Sequence, residues 1–163
     1  MPQLNFAHGG ITRDTPAAIP PGYRLVERRT LLGSGDVTRD RAVAIVLSWG
    51  VKTRAGFSVS PATSAVQVGE QYTITLGPVR EPVQVKWLDA AGFGYTTRHG
   101  HPLSGEEAFL IEQDADGMVT FVNRSVSRPA SPGWGILSPV LRLAQAYFVR
   151  RYGRVLARAV RIS

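Results

Sequence analysis

Between residues 72 and 121, apolar side chains recur at every second position in five separate runs, and no other feature limits the fold of this chain so strongly. Tyr72, Ile74 and Leu76 form the first run, and Val83, Val85 and Trp87 the second. Phe93, Tyr95 and Thr97 form the third, Glu107, Phe109 and Ile111 the fourth, and Val119 and Phe121 the fifth. A strand turns successive side chains to opposite faces, so each run marks one face of one strand. Turn signals separate the runs at Gly77-Pro78, Asp89-Ala90-Ala91-Gly92, Gly100 to Gly105 and Asp116-Gly117. Connections this short join antiparallel neighbours. The pattern predicts a meander with one half-buried face.

A sheet with one apolar face needs a cover. Pro129, Pro132 and Gly133 end the strand pattern, and the spacing then becomes helical. Leu137, Val140, Leu141, Ala144, Phe148, Val155 and Ala159 fall on one side of a helix running from about residue 137 to about residue 160. Upstream, Tyr23 to Leu32 reads as a strand ending at Gly33-Ser34-Gly35. A helix follows, capped by Asp36 or Thr38, with Ala42, Val46 and Trp49 on one face. Residues 52–65 read as a loop with at most one short turn, ended by Pro61. Residues 1–21 hold Gly9-Gly10, Pro16, Pro20 and Pro21 and read as an irregular N-terminal arm.

The length of 163 residues suits one domain with a substantial core, and neither a repeat nor a linker divides it. Residues 1–163 are therefore expected to form a single domain. The order of elements predicts an α+β fold. It is similar to the helix-grip architecture of Bet v 1 and START-like proteins, a curved antiparallel sheet wrapped on a long C-terminal helix. That likeness implies a cavity between sheet and helix.

Composition removes several functional classes. The chain has no cysteine, so it carries no disulfide framework, thiol nucleophile or thiolate metal site. This suits a reducing compartment, and a cytoplasmic location is expected. The longest apolar run, Ala42 to Leu47, is far too short to cross a bilayer, so no stable membrane insertion is expected. The first residues lack a basic segment followed by an apolar run and do not read as a signal peptide. The net charge of +7 invites a nucleic-acid partner. The lysines, however, are Lys52 and Lys86, and the remaining cations are arginines, a skew that genome composition can produce. No basic strand interleaved with aromatic residues is present to stack bases. No nucleic-acid partner is expected.

The most chemically dense segment is Gly92 to Phe109. It holds Tyr95, Arg98, His99, His101, Glu106 and Glu107 between two alternating runs, and it reads as a hairpin. The segment resembles the pattern GFGYGTLPGHPERGEERF of a bacterial and plant family known as domain of unknown function nineteen-ninety. The tyrosine, the Gly100-His101-Pro102 triplet and Gly105-Glu106-Glu107 are kept. Thr96 stands where the family usually has glycine, and Arg98 where it has an aliphatic residue. Pro21-Gly22-Tyr23, Leu32 to Gly35, Trp49, Ser127 to Ala130 and Gln145 extend the resemblance over nearly the whole chain. It implies no particular activity.

His99 and His101, with Glu106 or Glu107, are the right residue types for a metal. Their spacing inside one turn is awkward for four ligands, and no metal is expected. His101 is instead expected to hydrogen-bond a backbone carbonyl. Glu107 shares a strand face with Phe109 and Ile111, so its carboxylate needs a cation or a proton, with Arg128 and Arg151 as candidate partners. Arg151 falls on the apolar side of the last helix and either snorkels to solvent or reaches inward. Gly33-Ser34-Gly35 lacks the third glycine of a dinucleotide loop and the lysine of a phosphate loop, so no cofactor is expected. Asn123-Arg124-Ser125 matches a glycosylation sequon but falls in a strand.

The leading expectation is a soluble protein that binds a small, apolar or amphipathic molecule between sheet and helix. Tyr72, Trp87, Tyr95 and Phe109 would line the site, and His101, Glu107, Arg128 and Arg151 would supply its polar anchors. One alternative is a cofactor-free enzyme using Glu107 or His101 as general base. The other is an arginine-rich interaction module for acidic partners or a membrane surface.

Overall fold

The computed structural model describes residues 3–161, so residues 1 and 2 of the expected arm lie outside the described residues. The five alternating runs form consecutive strands: β3 (Gln71–Leu76), β4 (Val79–Leu88), β5 (Gly92–Thr97), β6 (Leu103–Gln113) and β7 (Met118–Pro129). β1 (Arg24–Ser34) pairs with β7, and β2 (Ser58–Ser60) pairs with β3. Together they make a seven-stranded antiparallel sheet in the order β1-β7-β6-β5-β4-β3-β2. Between β1 and β2 lie α1 (Asp36–Val46) and α2 (Gly50–Arg54), and after β7 come α3 (Pro132–Ile136) and α4 (Ser138–Arg161). The sheet is curved, and its concave face receives α1, α2 and α4, giving the α+β helix-grip architecture.

Register follows from the alternation. β5 and β6 pair antiparallel from Gly92 opposite Leu110 to Thr96 opposite Glu106. β6 starts at Leu103, so the connecting loop is shorter than Gly100 to Gly105 and Gly105 belongs to the strand. Odd-numbered residues of β5, β6 and β7 face inward. Phe93, Tyr95, Phe109, Ile111 and Phe121 join Ile74, Val83, Val85, Trp49 and Leu156 in the main core. Each such side chain contributes roughly 1.5–3 kcal/mol by leaving water.

Four local expectations need correction. First, Trp87 does not continue the face of Val83 and Val85. A bulge between Val85 and Trp87 adds one residue to β4, which turns Trp87 to the convex face with Ala108, Leu110 and Val122. It fits there because its neighbour is Gly94, where a Cβ would come within 2.1 Å of the indole nitrogen. Second, residues 52–65 are not simply a loop, since α2 and β2 lie in and around them. A five-residue helix spans too little chain to show a helical period. Third, α1 has Gly35 as its N-cap with no side-chain cap, in place of Asp36 or Thr38.

The fourth correction concerns α4. Its buried residues are Val149, Tyr152, Gly153, Leu156 and Val160, all from the middle of the helix onward. There the helix lies directly on β1, and a Cβ at Gly153 would meet the Thr30 hydroxyl at 2.3 Å. Toward the N-terminus the expected stripe is less buried, although Phe148 still packs against Phe57 with ring centroids 4.8 Å apart. Leu137 and Val140 keep 46% and 61% of their surface exposed. The helix stands off the sheet where the sheet curves away.

Residues 3–23 hold no helix or strand, apart from a single bridge between Leu4 and Arg98. They cross the convex face. Glu106 binds them through the backbone N–H of Gly10 (2.6 Å) and Thr12 (2.8 Å) and the Thr12 hydroxyl. Arg124 adds a bond from its guanidinium to the Thr12 carbonyl at 2.9 Å.

Candidate functional site

The gap under the N-terminal half of α4 is a cavity of about 310 Å³ between the helix and β3 to β7. Its walls are mostly apolar: Phe57, Leu76, Val79, Leu141 and Phe148 are among them. Trp134, Leu137 and Val140 lie at the edge, and the exposure of the last two shows that the cavity opens to solvent there. The opposite end is polar and closed. Lys52, Glu81, Tyr95, Glu107 and Tyr152 meet at it.

Lys52 is the centre of this group. α2 carries it inward until only 3% of the residue is exposed. Its Nζ donates to the Tyr152 hydroxyl at 2.7 Å and lies 3.3 Å from Glu107 Oε1. The ammonium also sits over aromatic rings, 4.5 Å from the centroid of Phe57 and 4.9 Å from that of Tyr152. Burial alone would lower its pKa. Glu107 first, then Tyr152, Tyr95 and Glu81, oppose that and hold it well above the usual lysine value. Lys52 is therefore held in its charged form beside Glu107.

Glu107 reaches the cavity because the inward face of β6 alternates Glu107, Phe109, Ile111. Its Oε1 also accepts the Tyr95 hydroxyl, and its Oε2 accepts Asn123 Nδ2 at 3.3 Å. Two strands and a helix thus hold one carboxylate. Burial raises the pKa of both Tyr95 and Tyr152, so both remain neutral phenols. Burial, helped by the Glu107 charge and opposed by Lys52, also raises the pKa of Glu81.

His101 stands where the cavity meets a second, open polar groove bordered by Asn5, His99, Ser104, Arg128 and Ser131. Burial and the Lys52 charge push its pKa down to about 3, so the ring is neutral at physiological pH. Its Nδ1 accepts the backbone N–H of Leu103 at 2.9 Å, in place of the expected bond to a carbonyl. The proton therefore resides on Nε2. Ser125, Ser127 and Gln145 add polar atoms along one wall, with Gln145 Nε2 donating to Ser125 Oγ at 2.9 Å.

Of the residues expected at a site, Tyr95, His101 and Glu107 come together in the cavity. The other five do not line it. Tyr72 packs edge-on against Trp49, with ring centroids 5.0 Å apart. Phe109 lies one layer deeper, its ring 5.6 Å from that of Tyr152. Trp87 is on the convex face for the reason given above. Arg128 follows Ser127 and so points to the other side of β7, where its guanidinium stacks 4.6 Å over Tyr23. Arg151 donates from Nε to the Ala55 carbonyl at 2.8 Å and ties α4 to the end of α2. Neither arginine is the partner of Glu107; Lys52 is. Among the described residues, no three of His, Cys, Asp or Glu are grouped to hold a metal ion.

Sequence reasoning missed Lys52, Glu81 and Tyr152. Two carried a signal. Glu81 alternates with Val79 and Val83, and Tyr152 lies four residues from both Phe148 and Leu156 on the helix stripe. Lys52 stood out only as one of two lysines in an arginine-rich chain.

Sheet, helices and cavity define a helix-grip protein with a charged pair at the closed end of an apolar pocket. The chain belongs to the family described as a domain of unknown function, DUF1990, which matches residues 6–155. A UPF0548 protein of Deinococcus radiodurans is 45% identical over 71 residues, covering 44% of this chain. That match spans 36% of the Deinococcus protein's length. The UPF0548 protein At2g17695 of Arabidopsis thaliana is 29% identical over 156 residues, covering 87% of this chain and 76% of the plant protein. Among solved structures, the hypothetical protein jhp0584 of Helicobacter pylori superposes with a TM-score of 0.65 at 11% identity, covering 88% of this chain and 96% of that one. Protein MLL2253 of Mesorhizobium loti gives a TM-score of 0.57 at 13% identity, over 83% of this chain and 97% of that one. Aha1 of Colwellia psychrerythraea gives 0.55 at 12% identity, over 82% and 96%. At such identities the likeness concerns the fold. Among the described residues, no helix is long and apolar enough to cross a membrane.

Proposed function

We propose that this protein binds one small, largely apolar molecule in the cavity beneath α4, with a polar end directed at Lys52, Glu107 and Tyr152. The observation that carries this reading is the Lys52–Glu107 ion pair at the closed end of a mostly apolar cavity of about 310 Å³ that opens to solvent at its other end. Apolar walls with a few fixed polar groups are the usual build of a small-molecule site. The volume is at the small end of such pockets.

The test is a fluorescence titration with the neutral apolar probe N-phenyl-1-naphthylamine, on the native protein and on Ala144→Trp. Ala144 lines the cavity from an exposed turn of α4, so the larger side chain enters the cavity without disturbing the packed half of the helix. The expected result is saturable binding of one probe that Ala144→Trp weakens at least tenfold. Absence of saturable binding, or equal binding by both proteins, would reject the proposal.

A further inference from the structure

We infer that the polar end of the molecule bound in this cavity is a neutral carbonyl oxygen, received by the Tyr152 hydroxyl. This inference rests on the proposed binding function and adds the chemical class of the ligand. It follows from counting donors and acceptors at the closed end. A lysine ammonium has three donors and no acceptor. In the contact between Lys52 Nζ and Tyr152 Oη at 2.7 Å, the tyrosine oxygen must therefore accept. Its own proton is left over. Among the described residues Tyr152 donates no hydrogen bond, although the side chain lines the cavity and only 3% of the residue is exposed. A buried hydroxyl donor without an acceptor is costly, and the cavity is where an acceptor can come from.

Among the described residues no acceptor on the cavity wall takes this proton: Glu81 makes no hydrogen bond with Tyr152, and the bonds to Glu107 come from other donors. Glu107 Oε1 receives the Tyr95 hydroxyl and faces Lys52, and its Oε2 receives Asn123. The bond from Lys52 polarises the Tyr152 hydroxyl and makes it a stronger donor than a free phenol.

Charge narrows the class further. A ligand ammonium at this position would meet Lys52. A ligand carboxylate would meet Glu107, with Glu81 also on the cavity wall. The pair Lys52–Glu107 is neutral as a unit, so a head group of either sign lacks an unshared counter-charge there. A neutral acceptor such as a ketone, ester or amide carbonyl has neither conflict, and it answers the Tyr152 donor.

The test compares three ligands of one shape: tetralin, 2-tetralone and 2-aminotetralin. Affinities for the native protein are measured by displacement of N-phenyl-1-naphthylamine and by calorimetry. The expected result is that 2-tetralone binds about five- to tenfold tighter than tetralin, the effect of one neutral hydrogen bond. 2-Aminotetralin, charged at neutral pH, should bind no tighter than tetralin. Tyr152→Phe should bring 2-tetralone down to the affinity of tetralin. A measurement on the native protein covers the case in which that variant does not fold: the infrared carbonyl band of bound 2-tetralone, carbon-13 labelled, should fall below its position in hexane. If all three bind equally, or the amine binds best, or the carbonyl band stays at its hexane position, the inference is overturned while the apolar cavity site stands. If none of the three displaces the probe and the probe itself does not bind, both fail.

Discussion

Glu106 and Glu107 are neighbours in the chain and lie on opposite faces of the same strand; Glu106 is buried and Glu107 half-buried, and each is held for a different purpose. On the convex face Glu106 is 2% exposed, and its two oxygens collect three donors from Gly10 and Thr12. Beside it, Arg124 binds Thr12 and also Glu27, with Nε to Oε2 at 2.7 Å. The charges there are consumed in holding the arm. On the concave face Glu107 is equally well supplied, yet the group it belongs to is not complete. Lys52 occupies the Tyr152 oxygen, and among the described residues the tyrosine proton has no acceptor. The convex cluster closes on itself and builds structure, while the concave one leaves a donor that the proposed ligand would answer.

Acid should separate the two faces most strongly. The folded-state pKa of His101 is lowered to about 3 from 6.5, so folding excludes its proton. Its stability contribution is complete above pH 6.5 and is lost as pH falls from 6.5 towards 3, at about 1.4 kcal/mol per pH unit. Arg124 and Arg29 lower the pKa of Glu27 on the convex face from 4.5, against a burial effect that would raise it. Its contribution is present above pH 4.5 and is lost only below that value. Urea midpoints across pH 7 to 4 should therefore fall first through the concave face. His101→Asn, whose carbonyl oxygen can still accept from Leu103, should flatten that decline.

The next largest effect is expected from breaking the buried pair. Lys52→Met leaves Glu107 without its cation and should cost about 3–5 kcal/mol in chemical denaturation. Adding Glu107→Gln should restore most of that loss, since a neutral partner no longer needs the charge. Full additivity of the two changes would show that the pair is not coupled.

Glu106→Gln comes third. Although Glu106 faces away from the cavity, its three donors predict a loss of about 1–3 kcal/mol, with faster proteolysis within residues 3–23. Unchanged proteolysis would mean that the arm is held by other contacts. The smallest effect is expected at the cavity mouth. Leu137→Ala and Val140→Ala should alter stability by less than about 0.5 kcal/mol, as exposed positions do, while weakening probe binding.

Why the convex and concave faces were not equally legible follows from range. Alternation is local, and it gave the strands, the pairing of β5 with β6 and the inward face of Glu107. The bulge that turned Trp87 outward is invisible in the pattern, because its only trace is Gly94 on the neighbouring strand. The sequence offers Arg128 and Arg151 as partners of Glu107, and neither is the cation that meets it. That cation comes from α2, a helix too short to announce itself. The division of α4 into a packed half and a free half depends on the curvature of the sheet. Sequence spacing marks Leu137, Val140, Phe148 and Val155 as one stripe and does not record how far the sheet lies from each. Tyr152 was readable as a helix-face residue, but its spare proton appears only once Lys52 is placed beside it.

The most direct test of the whole account uses indole reporters. Trp134 lies at the cavity mouth, and Trp87 lies under the arm on the convex face. The nitrogen-15 correlation spectrum is recorded while 2-tetralone is titrated into the native protein. The account predicts that the Trp134 indole signal moves in saturable fashion, together with backbone signals of Lys52, Ala144 and Tyr152, while the Trp87 indole signal stays in place. Movement of Trp87 with Trp134 unchanged would put the ligand on the other face of the sheet and contradict it.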